Sequence, residues 1–242
     1  MKRVAICICG FVRDFEKTHQ NLFDNIINRN SNYEFDIFIH TWDKINTKNS
    51  QLFITGGDSR NAYDNFNNYD YSRLIEIYNP KSICIDRYND DNFIKFEEKF
   101  SSANNGSGLA GNNPIAVFSQ FYKVSKCLEM AMAQQRLNNF NYDIIIRTRF
   151  DLNANAINLD EFEIADDVLY VEDEGLPDDW SSDKFAIMNS KVSEMYCSFY
   201  YNLESLIDQT NICLPERLMA AFFKALNIRV DKTSKIGQLR LY

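Results

Sequence analysis

Histidine, proline and glycine are scarce in this chain of 242 residues, at two, four and eight. Two histidines exclude a poly-histidine metal site, and so little glycine and proline excludes collagen-like and linker-rich architectures. No apolar run approaches the ~20 residues that a membrane-spanning helix needs. No CxxC pair occurs among Cys7, Cys9, Cys84, Cys127, Cys197 and Cys213. Most of these lie in apolar runs such as Ile83-Cys84-Ile85, so they read as reduced, core-packed thiols rather than a disulfide framework or a zinc site of standard spacing. A basic excess is missing too: the net charge is −8 and the pI near 4.9. That excludes a dedicated nucleic-acid binder, which needs a basic face against phosphate.

What remains is ordinary for a folded, aromatic-rich enzyme or binding domain, with 45% hydrophobic and 25% charged residues. The length suits one large domain or two small ones. The start, Met1-Lys2-Arg3 before an apolar run, resembles a signal peptide only superficially. Arg13 and Asp14 interrupt it and no cleavage site follows, so a cytoplasmic protein is expected. Lys/Arg patches leave room for peripheral contact with the inner face of a membrane.

Arg3 to Cys9 reads as a buried strand, Phe15 to Ile27 as an amphipathic helix and Phe35 to Ile39 as a second strand. This βαβ order implies a parallel sheet. Asp43 to Asp70 is polar, Asn-rich and read as a long loop. Tyr71 to Tyr78 reads as a short helix and Ser82 to Asp86 as a third strand. Ser101 to Asn113 reads as a mobile loop of the kind that often serves as a lid. Asn113-Pro114 opens the clearest helix, with an apolar stripe from Phe118 to Met132 and with Ser119, Lys123 and Lys126 on a polar face. Tyr142 to Ile146 is a central strand and Val168 to Val171 another. Helices follow at Lys191 to Ile207 and Glu216 to Leu226, then a closing strand at Ile228 to Val230. The fold class is α/β, with a Rossmann-like, mostly parallel sheet.

The sharpest feature is Arg147-Thr148-Arg149-Phe150-Asp151 at the end of a triple-Ile strand. A two-residue period points Arg147, Arg149 and Asp151 to one face. Charges there are costly unless paired or liganded, and ligands of α/β sheets bind beyond the strands' carboxyl ends. Two guanidiniums suit a pyrophosphate, and the carboxylate suits a divalent cation. A salt-bridge cluster closing the strand is the alternative. Gly10, Phe11 and Arg13 follow the first strand, where a glycine turn brings backbone close to a ligand and Arg13 can meet phosphate. Only one glycine is present, so no GxGxxG fingerprint exists.

Asp183, after an acidic run around Trp180, is a candidate general base, and Trp180 can stack on a sugar ring. A helix-cap role is the competing reading for any one of these Asp. Glu216 at a helix start is a second candidate, against a simple first-turn Glu. His40, Trp42, Gln120 and Tyr122 are candidate pocket residues, each open to a purely structural reading.

In order along the chain, Gly10-x-x-Arg13, Asp36-Ile37-Phe38-Ile39-His40-Thr41-Trp42-Asp43, Ser119-Gln120-Phe121-Tyr122, the Arg147-x-Arg149-x-Asp151 strand, Asp183-Lys184-Phe185-Ala186 and Pro215-Glu216 resemble a known series. It is that of the glycosyltransferase-like proteins of bacterial and giant-virus surface-polysaccharide genes, which are similar to the lipopolysaccharide family called WavE. The resemblance implies a GT-A-like single domain over residues 1–242 that binds a nucleotide-sugar donor and a glycan acceptor. In such folds an Asp-x-Asp holds Mg²⁺ or Mn²⁺ on the donor diphosphate. Asp151 takes that place here with only one carboxylate, so Arg147 and Arg149 could neutralise the diphosphate instead. The expected activity is sugar transfer to a hydroxyl of a capsule- or lipopolysaccharide-type glycan. A sugar nucleotidyltransferase and a non-catalytic glycan- or nucleotide-binding domain of the same fold are the alternatives.

Overall fold

The computed structural model describes residues 1–13, 15–46, 66–68, 70–87, 91–103 and 114–236. Strand β1 (Lys2–Cys9) leads to helix α1 (Phe15–Leu22), which loosens into a π-turn over Phe23–Ile27 and a 3₁₀ turn over Asn28–Asn30. Then come β2 (Tyr33–Trp42), a small antiparallel pair β3 (Lys44–Asn46) and β4 (Phe66–Asn68), α2 (Ser72–Tyr78), β5 (Ser82–Asp86) and α3 (Asp91–Phe100). The second half contains α4 (Pro114–Asn138), β6 (Ile144–Thr148), β7 (Val168–Glu172), β8 (Ala186–Met188), α5 (Ser190–Thr210), α6 (Pro215–Ala225) and β9 (Arg229–Thr233).

Seven strands form one sheet in the order β5-β2-β1-β6-β8-β7-β9. The pairs β5–β2, β2–β1, β1–β6 and β7–β9 are parallel, and β8 runs antiparallel to both its neighbours. The sheet is therefore mostly parallel, with one reversed strand. Both faces are apolar, as a sheet covered on two sides requires. Alternate residues of β1 divide between them: Ala5, Cys7 and Cys9 pack under α3, α4, α5 and α6, while Val4, Ile6 and Ile8 pack on the side of α1 and α2.

Several boundaries differ from the sequence reading. Strand β2 extends to Trp42, so His40, Thr41 and Trp42 are buried ladder residues rather than a strand exit. Strand β6 starts later, at Ile144, and takes in Arg147 and Thr148, because Asp143 instead accepts the backbone N–H of Arg3 at 2.7 Å. Ser119 and Lys123 are buried, not on a polar helix face, because α4 lies over β1 and β2 with α3 and α5 against it and is buried on more than one side. The ends of the Asp43 to Asp70 loop pair as β3 and β4. Helix α3 and strand β8 went unread. The Asn113 cap, residues 104–113 of the proposed mobile loop and Asp14 lie outside the described residues. All six cysteines are unpaired thiols, and all but Cys84 are buried. Among the described residues no helix is long and apolar enough to cross a membrane.

Candidate active site

The parallel register gathers the predicted residues at the carboxyl edge of the sheet, under α4. Cys9 is level with His40, and His40 with Cys84; Cys7 is level with Arg147. All five face the α4 side, because alternate residues share a face. At Gly10 the chain leaves β1 with φ of +134°, a backbone state that side-chain-bearing residues rarely adopt. Its N–H still donates to the His40 carbonyl at 3.3 Å, which ties the turn to β2.

One half of the edge is cationic. Arg149 grips Asp151 with two parallel hydrogen bonds, Nε to Oδ1 at 2.9 Å and the guanidinium amine to Oδ2 at 2.7 Å. Arg13 Nη1 stands 3.5 Å from the same Oδ2. Burial pushes the Asp151 carboxyl up, but the Arg149 and Arg13 charges outweigh it and hold it at about 2. Both oxygens of Asp151 are thus engaged by guanidiniums and present no open oxygen face for a hard cation. Arg147 is 1% exposed; its Nη1 donates to the Asp183 carbonyl, and its Nε has no acceptor among the described residues. Lys123 is buried too, with its ammonium 4.2 Å from the Phe11 ring centre and 4.8 Å from that of Trp42. Burial, then the neighbouring Arg13 and Arg149, push its ammonium well below the usual lysine range.

Beside these cations stand two acids. Gln120 Nε2 donates to Asp183 Oδ2 at 2.5 Å. The Ser181 N–H donates to the Glu216 carbonyl at 2.9 Å, joining the acidic loop to the start of α6. Burial, followed by the charge of Asp183, raises the Glu216 carboxyl to about 7, and its Oε2 is buried with no partner among the described residues. Trp180 is half-buried on the same loop, its backbone N–H donating to the Pro177 carbonyl at 3.0 Å.

The other half is aromatic. Trp42 and Tyr122 stack with ring centres 5.7 Å apart and planes 9° from parallel. The Tyr122 hydroxyl donates to Asp86 Oδ2 at 3.0 Å, and His40 Nε2 lies 3.1 Å from that oxygen. Burial, with help from Lys123 and Lys126, lowers His40 to about 4 against the pull of Asp86. The ring is therefore neutral at pH 7, and Nε2 donates to the carboxylate as a hydrogen bond.

So Gly10, Phe11, Arg13, His40, Trp42, Gln120, Tyr122, Arg147, Arg149, Asp151, Asp183 and Glu216 do converge, and Trp180 joins them on the Asp183 loop. Missed were Lys123, Asp86 and Ser181. Lys123 carries no site signal in the sequence, because helical spacing groups it with Ser119 and Lys126 on the polar face of α4. A separate cleft of about 520 Å³ opens at the opposite, amino edge of the sheet, beside Lys2, Tyr33, Asp143, Asp160 and Asp166, and contains none of these residues.

Among solved structures, the chain is similar to the apo-form glycosyltransferase GlyE of Streptococcus pneumoniae TIGR4, at 12% identity and a TM-score of 0.43. The alignment covers 96% of this chain and 45% of that one, so the chain spans less than half of that protein. No curated protein matches the sequence. Residues 1–210 match the family described as a domain of unknown function, DUF7796, and the chain belongs to that family.

Proposed function

We propose that residues 1–242 form one GT-A-like catalytic domain that moves a sugar from a nucleoside-diphosphate donor to a hydroxyl of a capsule- or lipopolysaccharide-type glycan. The observation that carries this reading is the unmatched positive charge at the sheet's carboxyl edge. Arg147 is buried without an ion-pair partner among the described residues, beside Arg13 and Arg149. A buried cation without a counter-charge is costly, and a bound polyanion relieves that cost. The resemblance to WavE-like proteins, whose motifs include Arg13, Arg147 and Arg149, supports the same reading.

In this mechanism Arg149 and Arg13, the more accessible guanidiniums, meet the diphosphate. Arg147 lies behind them and holds the potential positive, and an anion there would favour the ammonium form of Lys123. Asp151 orients Arg149 and Arg13; with its oxygens occupied, no step is assigned to a metal there. Asp183, positioned by Gln120, takes the proton of the acceptor hydroxyl as that oxygen bonds to the anomeric carbon. The nucleoside diphosphate departs with the electrons of the broken C–O bond. Glu216 is the second choice for the base. Trp180 and the Trp42–Tyr122 stack supply flat apolar faces for a sugar.

Calorimetry with UDP-, GDP- and CMP-sugars tests the reading, with binding of one donor expected. Asp183→Asn should keep that binding and lower transfer by about 10²–10⁴-fold, the usual contribution of a positioned base. No binding to any donor would favour the non-catalytic alternative. Pyrophosphate release from a nucleoside triphosphate and a sugar phosphate would favour the nucleotidyltransferase.

A further inference from the structure

The cationic half of the site uses β1 and β6. The edge strand β5 brings a different set of donors. Its parallel pairing with β2 sets His40 level with Cys84 and Trp42 level with Asp86. Level partners in a parallel ladder stand side by side, and residues two apart share a face. Backbone pairing, rather than a loop, therefore brings an imidazole, a thiol and a carboxylate together. One ligand atom from each lies within 4.8 Å of the other two. Two of the separations are short: His40 Nε2 to Asp86 Oδ2 at 3.1 Å, and Cys84 Sγ to Asp86 Oδ1 at 3.5 Å. Ligands that each sit about 2.0–2.3 Å from one tetrahedral ion are separated by distances of this order.

The surroundings fit an ion as well. His40 is buried, whereas Cys84 and Asp86 are half-buried, so the cluster is fixed on one side and open on the other. Trp42 and Tyr122 pack edge-on against the imidazole, with ring centres 6.4 and 5.8 Å away, and fix its plane. Tyr122 also donates to the carboxylate, an outer-sphere contact that orients a ligand. Lys123 and Lys126 face His40 from α4, but Lys126 is already paired with Glu129 at 2.8 Å. A thiolate and a carboxylate together carry two negative charges, which one dication balances. Nitrogen and sulfur donors select zinc-class ions over Mg²⁺ or Ca²⁺, which take oxygen.

We propose that His40, Cys84 and Asp86 bind a zinc-class divalent ion at the carboxyl edge of β2 and β5, leaving a fourth position open. Binding releases the Cys84 thiol proton to solvent and makes three protein–metal bonds. The inference is independent of glycosyl transfer, since it uses none of the arginines and neither proposed base.

The test is titration of the chelator-treated full chain with Co²⁺, followed by displacement with Zn²⁺. One equivalent should bind, with a thiolate-to-cobalt charge-transfer band that Cys84→Ser abolishes. His40→Gln and Asp86→Asn should weaken Zn²⁺ uptake by more than the roughly 10–100-fold that losing an outer-sphere partner costs. Zn²⁺ should raise the unfolding temperature of the wild type and leave that of Cys84→Ser unmoved, each protein being compared with itself. Absence of a thiolate band in the wild type overturns the proposal whatever the variants do. Equal uptake by wild type and Cys84→Ser overturns it as well.

Discussion

The arginine half and the histidine half of the carboxyl edge lie under the same helix, yet their polar groups are balanced in opposite senses. In the arginine half, donors are in excess. Arg149 and Arg13 share one carboxylate, and Arg147 has a carbonyl and an Nε with no acceptor among the described residues. In the histidine half, acceptors are in excess. Asp86 accepts from the Tyr122 hydroxyl and stands against His40 Nε2 and the Cys84 thiol, with no lysine or arginine paired to it among the described residues. One half is suited to an anion and the other to a cation. A buried polar group left unmatched is costly wherever it occurs, so each mismatch marks a place where a ligand of the opposite character gains most.

The largest effect that sharpens this contrast is expected at Arg149. Arg149→Met leaves Asp151 buried with only the longer Arg13 contact, and breaking a buried pair from one side costs about 3–5 kcal/mol. Replacing both partners, as Arg149→Met with Asp151→Leu, should recover most of that loss, because the desolvated charges leave together. Urea unfolding of the wild type and the two variants checks it. A double variant no more stable than the single would mean that the pair is not self-contained.

Titration should separate the acids next. Glu216 is raised from 4.5 to about 7 in the fold, so the folded chain holds a proton that the unfolded chain gives up. Its contribution to stability is complete below pH 4.5 and is lost as pH rises through about 7, an effect of about 3 kcal/mol. Asp151 behaves oppositely: lowered from 3.8 to about 2, it stabilises above pH 3.8 and that contribution, about 2 kcal/mol, is lost as pH falls toward 2. Unfolding free energies between pH 4 and 8 should lose the Glu216 slope in Glu216→Gln and keep it at reduced size in Asp183→Asn, which removes the neighbouring charge but not the burial. An unchanged slope in Glu216→Gln would assign the titration elsewhere.

The two halves also differ in how far the sequence disclosed them. The arginine motif is local: a charge run after Ile144-Ile145-Ile146 violates the strand pattern, and violations of pattern mark sites. Its face and its position at the strand ends followed from periodicity alone. The histidine half is not local. Cys84 and Asp86 become partners of His40 only through the β2–β5 register, with about forty residues between the strands, and Ile83-Cys84-Ile85 reads as ordinary core. Lys123 was misread for a related reason. Helical spacing places it with Ser119 and Lys126 on the polar face, and its burial comes from the elements packed around α4, which is a tertiary property. Strand β8 was hidden because three residues between an acidic loop and a helix offer too short a period to detect.

The smallest effect tests whether the aromatic half is as rigidly built as the arginine half. Tyr122→Phe removes one hydrogen bond to Asp86 and keeps the stack on Trp42. Asp86 is about one-third exposed, so water replaces the lost donor and the cost should be about 1 kcal/mol, well below that of Arg149→Met. Asp86 would then keep its His40 and Cys84 contacts, so the three ligand atoms stay near one another. A urea midpoint shifted as far by Tyr122→Phe as by Arg149→Met would break the comparison. It would mean that the tyrosine hydroxyl, rather than strand pairing, holds the histidine half together. A small shift would leave register as the cause of that cluster, as the side-by-side placement of His40 and Cys84 requires.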